Sequence, residues 1–154
     1  MTKVLIALDD SPISLRAARE AARLFPAAEF LVVNVTSRVV PWIAGDFGAV
    51  YPAILADMPA IGLDDEQLAA QADALGLEDV TVLPLEGAPA AAICEAAEAN
   101  DVDVVVVGSH DKSILRRLLD PSIAQAVVQG TYRPVLVVSG TPPAPEELAA
   151  AAAS

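Results

Sequence analysis

The chain's only histidine, His110, stands in a run whose residue types could bind an anion: Gly108-Ser109-His110-Asp111-Lys112, then Arg116 and Arg117, then Asp120-Pro121-Ser122-Ile123. A Gly-Ser turn after a strand, with a helix N-terminus nearby, offers unpaired backbone N–H groups and the positive end of a helix dipole. That is the layout of a nucleotide-phosphate site. Two positions oppose it: Asp111 adds a carboxylate to the loop, and Pro121 deletes an N–H where the helix begins. Asp120 stands at the N-cap position with Pro121 at N1, so a carboxylate of the chain itself can take the phosphate's place. Lys112, Arg116 and Arg117 offset that charge, and Ser122 keeps its hydroxyl and its N–H.

Other chemistry is sparse. A lone His110 makes no metal-ligand cluster and reads as a loop hydrogen-bonder or anion contact rather than a catalytic base. No Ser/His/Asp set, Gly-x-Ser-x-Gly elbow or Walker sequence occurs, and the turn Asp9-Asp10-Ser11 lacks a glycine-rich phosphate loop. The sequence therefore assigns no catalytic residue and no metal. The single Cys94 cannot close an internal disulfide, and its neighbours Ile93 and Ala97 place it on a buried helix face with no Lys or His nearby to activate it.

The elements that must position these residues follow from periodicity. Lys3 to Leu8 (KVLIAL) and Phe30 to Val35 (FLVVNV) are unalternating apolar runs, the pattern of parallel strands covered on both faces. Between them Ser11 or Asp10 caps a helix that has Pro12 in its first turn and Leu15, Ala18 and Ala22 at helical spacing as far as Phe25. Asp64 or Asp65 caps a second helix to Leu75, stopped by Gly76. Val80 to Leu85 is a third strand, Pro89 to Ala99 a helix, Asp103 to Val107 the fourth strand, Pro121 to Gly130 a helix and Pro134 to Ser139 the fifth strand. The alternation predicts a doubly wound parallel sheet with ligands at the carboxyl ends of strands, where Asp9, Val35 and Gly108 lie. Residues 36–63 break the pattern, with Trp42, Phe47 and Tyr51 among prolines and glycines: either a lid or docking flap near the pocket mouth, or a loop packed on its own core.

The 154 residues suffice for one domain over residues 1–140, followed by a Pro- and Ala-rich tail, 141–154, expected to fray. A net charge of −12 argues against nucleic acid and anionic lipid as partners. Apolar runs such as Val104 to Val107 are far too short to span a membrane, and the first residues lack the features of a signal peptide, so a cytoplasmic location is expected. Four of the nine Lys and Arg (Lys112, Arg116, Arg117, Arg133) fall within the 22 residues 112–133, which follow closely on His110. They form either a local positive island or a solvated face paired to nearby carboxylates.

Four segments in order, KVLIALDDSP, LVVNV, EGAPAAAICEAA, and VVVGSHDKS through PSIAQAVVQGTYRPVLVV, resemble the universal stress protein family over about residues 1–139. The resemblance implies a flavodoxin-like, Rossmann-like three-layer α/β/α sandwich with a five-stranded parallel sheet, and a homodimer paired along strand 134–139. In relatives that bind ATP the phosphate loop is similar to Gly, two residues, Gly, nine residues, Gly, then Ser or Thr. Here those positions are Gly108, Asp111, Pro121 and Ser122, so two of three glycines are replaced. The family's acidic contact to adenine or ribose falls on Asp9, and its second-strand backbone contact near Val35. The implied nucleotide site comprises Ala7, Leu8, Asp9, Val35, Val107, Gly108, Ser109, His110, Lys112, Ser122 and Ile123, with its adenosine side better kept than its phosphate side. The reading is a stress-response regulatory or interaction module with a degenerate adenine-nucleotide site and no certain cofactor, ATP, ADP and AMP being the candidates. The alternatives are a nucleotide sensor or slow ATPase, and a binder of another small anionic metabolite.

Overall fold

A computed structural model describes residues 1–9, 11–36, 63–109 and 123–139. Five strands, β1 (Lys3–Ala7), β2 (Glu29–Thr36), β3 (Val80–Glu86), β4 (Val104–Ser109) and β5 (Val135–Ser139), form one sheet in the order β3-β2-β1-β4-β5, every pairing parallel. The described helices are α1 (Pro12–Leu24), α2 (Asp65–Ala74), α3 (Pro89–Ala99) and α4 (Ile123–Gly130). The expected α/β architecture is what the chain adopts.

Both faces of the sheet are covered, which is why its strands read as unbroken apolar runs. On one face Val4, Ile6, Phe30, Val32, Val106 and Val138 pack with Ala17, Ala18 and Ala21 of α1 and Leu68 and Ala72 of α2. On the other, Leu5, Leu31, Val33, Val105 and Val107 pack with Ile93, Ala96 and Ala97 of α3 and Ala124 and Val127 of α4. Small side chains on α1 and α3 let these helices lie close to the strands. Residues 4, 6, 5 and 105 to 107 are at most 2% exposed, so the middle of the sheet is dry.

The helix starts follow their sequence signals. Ser11 caps α1, its side chain accepting from Ser14 N–H, with Pro12 in the first turn. Asp64 and Gln67 close a reciprocal capping box at α2, and Gly76, at φ +68, turns the chain away after its last turn. Ala88 caps α3 with no side-chain bond. Among the described residues no helix is long and apolar enough to cross a membrane.

Strand order decides where a ligand can sit. From the central β1 the chain winds outward through β2 to β3, then returns to the other side of β1 as β4 and β5. Connections leaving β1 and β4 therefore diverge, and the crevice at their carboxyl ends is the position at which doubly wound sheets take ligands.

Candidate functional site

The β1–β4 ladder ends at Ile6–Val106, but each strand goes on pairing with its other neighbour. Leu8 N–H donates to Val33 O at 2.9 Å, on β2, and β4 stays in register with β5 as far as Ser109–Ser139. The sheet thus parts where Asp9 follows β1 and where Gly108 and Ser109 end β4. Asp9 is exposed there, while Leu8 and Val107 are 1% and 2% exposed. Those two side chains belong to the core, so only their backbone can meet a ligand. Ala7 and Val35 are half-buried and pack on the α3–α4 face.

Asp9 begins the cap of α1. Its Oδ1 accepts from Ser11 N–H at 3.0 Å and from the Ser11 hydroxyl, whose oxygen in turn accepts from Ser14 N–H at 3.3 Å. Ser14 Oγ accepts from Asp9 N–H at 3.2 Å and donates to Ser11 O at 3.0 Å. The carboxylate is aimed by its own loop and lies at the positive end of the helix.

Gly108 has a role that its place in a loop motif does not reveal. A Cβ there would meet the Ile13 carbonyl carbon and oxygen at 3.0 Å and Ser14 N at 3.1 Å. These are backbone atoms of the first turn of α1, so the absent side chain lets α1 dock against the end of β4. The close approach that the residue permits is to the chain's own helix. Ile123, the first described residue of α4, is 42% exposed. His110, Asp111, Lys112, Pro121 and Ser122 lie outside the described residues, as do Asp10, Arg116, Arg117, Asp120, the 37–62 connection with Trp42, and residues 140–154.

Arg133 does not belong with a positive island at this end. It precedes β5, at the amino ends of the strands, where its guanidinium bonds Glu98 at 3.1 Å, Asp101 at 3.0 Å and Val102 O at 3.1 Å. The Glu98 bond first, then Asp101, holds its pKa above the usual value. Closeness in sequence to the 108–122 run had joined it to that run, but α4 and the parallel crossover carry it to the opposite end. Cys94 fits its expected place: burial first, and Glu98 second, raise its thiol pKa, keeping it in the unreactive form. Among the described residues no group of His, Cys, Asp and Glu could hold a metal.

Two residues not singled out by sequence reasoning complete the site. Asn34, 5% exposed on β2, donates from Nδ2 to Leu8 O at 2.6 Å and accepts at Oδ1 from Leu63 N–H at 2.9 Å. Ser14, 4% exposed on α1, is the acceptor for Asp9 N–H. The available signal was a polar residue inside the apolar run LVVNV, a place where an amide persists only if its hydrogen bonds are met.

Residues 1–139 match the sequence model of the universal stress protein family. The chain belongs to that family. It is 31% identical over 140 residues to universal stress protein MJ0531 of Methanocaldococcus jannaschii, the match covering 88% of this chain and 81% of that one. Its fold is similar to that of a universal stress protein from Archaeoglobus fulgidus in complex with dAMP, with a TM-score of 0.57, 20% identity, and 90% and 97% of the two chains covered. A universal stress protein in complex with cAMP aligns with a TM-score of 0.57 and 21% identity, over 89% of this chain and 95% of that one. In this universal stress protein the switch-point crevice lies at the position where doubly wound sheets in general take ligands.

Proposed function

We propose that this universal stress protein is a regulatory module that binds an adenosine monophosphate chiefly by its nucleoside end and discriminates against triphosphates. The observation that carries the reading is the Asp9 carboxylate, exposed at the parting of β1 and β4 and aimed by Ser11 and Ser14. Ala7 and Val35, half-buried at the carboxyl ends of β1 and β2, are the apolar residues that the reading assigns to the nucleoside. The sequence supports a weakened phosphate side: Asp111 and Asp120 repel a polyanion, and Pro121 withdraws an N–H. Two fold neighbours hold adenosine monophosphates, dAMP and cAMP.

Calorimetric titration with ATP, ADP, AMP and adenosine tests this. AMP binding tighter than ATP is expected. Submicromolar ATP with adenosine weakest would overturn the reading in favour of a nucleotide sensor or slow ATPase. The double substitution Asp111→Gly, Pro121→Gly should raise ATP affinity, since removing the one like charge near an exposed phosphate is worth on the order of 1 kcal/mol and replacing Pro121 restores an N–H.

Assembly is proposed as a two-fold dimer through β5. The two edges of the sheet differ: β3 carries Pro84 and Glu86, which blunt further pairing, whereas β5 reads VLVVS, uncharged, with Val137 38% exposed. Light scattering should show Val137→Lys to be monomeric. A dimer unchanged by that substitution would place the interface elsewhere.

A further inference from the structure

We infer that Asn34 and Ser14 are positioning residues that act together on one peptide unit, the amide joining Leu8 to Asp9, and thereby aim Asp9 at its ligand. The ligand in this inference is that of the nucleotide reading above; the geometry stands without it. The carbonyl of this amide, Leu8 O, accepts from Asn34 Nδ2 at 2.6 Å, and its N–H, on Asp9, donates to Ser14 Oγ at 3.2 Å. Both ends of a single peptide plane are thus held by side chains, one from β2 and one from α1. They are also the two buried polar residues among the described ones.

Neither side chain is required by the element that carries it. Strand β2 completes its ladders with β1 and β3 through its backbone, and α1 is already capped by Ser11. A buried amide and a buried hydroxyl cost desolvation that Val and Ala would avoid, so their convergence on one peptide calls for a use. Asn34 cannot be turned over, because Oδ1 receives Leu63 N–H while Nδ2 serves Leu8 O, and flipping would set like against like. With the plane locked, the Asp9 Cα is held in place, and the bonds from Ser11 orient the carboxylate that leaves it. A binding group is effective only when the shell behind it holds it to within about half an ångström.

The test uses Asn34→Asp, Ser14→Ala and the double variant of the full chain, with AMP as the probe. At pH 8 the carboxylate introduced by Asn34→Asp still accepts from Leu63 N–H but has no proton for Leu8 O. AMP affinity should then fall about tenfold or more relative to wild type at the same pH. Below the pKa of this buried carboxyl its O–H donates again, and the ratio to wild type should return to within about threefold, a rescue that a purely structural loss would not show. Taking the ratio at each pH cancels the titration of AMP itself. Ser14→Ala should weaken AMP at every pH, and the double variant at pH 8 should lose less than the product of the two single losses, because both act through one peptide. Multiplicative losses without acid rescue overturn the inference.

Amide exchange at Asp9, followed by NMR, reads the lock without ligand. It should accelerate in both single variants, and Ser14→Ala, nearly neutral in core volume, carries this readout if Asn34→Asp does not fold. Unchanged exchange overturns the lock. If wild type fails to bind AMP while exchange responds as expected, the nucleotide reading falls and the positioning stands.

Discussion

The two ends of the sheet are closed by different chemistry. At the amino ends, opposite charges meet at the surface: Lys3 with Glu29 at 3.3 Å, and Arg133 with Glu98 and Asp101, while the Asp103 carboxylate accepts from Lys3 N–H at 2.8 Å. At the carboxyl ends the described polar side chains act on backbone instead. Asn34, Ser14, Ser11 and Asp9 hold the Leu8–Asp9 peptide and the first turn of α1. Solvated ion pairs tolerate small shifts and contribute little each. A buried neutral hydrogen bond such as that of Asn34 to Leu8 O tolerates almost none, because an unmet partner has no water to turn to. The contrast assigns end-closure to one side and geometric definition to the other.

The largest expected effect breaks the defined end. Asn34→Leu leaves the buried Leu8 O and the part-buried Leu63 N–H without their partner and should cost about 2–4 kcal/mol in urea unfolding, at about 1–2 kcal/mol per orphaned group. A cost below the smallest of these values would mean that water reaches both groups. Next, Gly108→Ala sets a methyl group 3.0 Å from the Ile13 backbone and should destabilise by about 1–3 kcal/mol, since helix and strand must separate. Gly130→Ala is the control at the other end. Its Cβ meets only Cys94 Sγ, at 3.1 Å, a side-chain atom that can rotate, and the helix-propensity gain of about 1 kcal/mol offsets the crowding. That variant should be close to neutral. Equal losses at the two glycines would erase the distinction between the ends.

Arg133→Gln should lower the urea midpoint by less than Gly108→Ala does, with a difference from wild type that shrinks as salt is raised. A salt-independent loss would show that the Val102 carbonyl bond, not the ion pairs, is what matters there. Smallest is the pH effect of Cys94. Its folded pKa is raised, so the unfolded thiol loses its proton first. The contribution of the neutral thiol is complete below the unfolded pKa of about 8.5 and is lost as pH rises through the folded value. Reaction of native Cys94 with a thiol reagent should therefore lag behind that of the unfolded chain between neutral pH and about pH 9.

Much of this protein is determined by the sequence alone. The unalternating strands, Pro12 and Pro89 in first helical turns, the Asp64 cap and the Gly76 stop fix the elements, because such signals act over a few residues and need no distant partner. Asp9, Val35 and Gly108 could be placed at strand ends by the same local reasoning. Strand order could not. Putting β1 between β2 and β4, with the crevice beside Asp9, depends on which helices cover which face, a property of the packed whole. Only tertiary structure moved Arg133 to the far end, made Gly108 a docking point for α1, and joined Asn34 and Ser14 at one amide. A buried hydrogen bond between β2 and the end of β1 spans 26 residues of sequence, and no periodicity or spacing rule carries information over that separation.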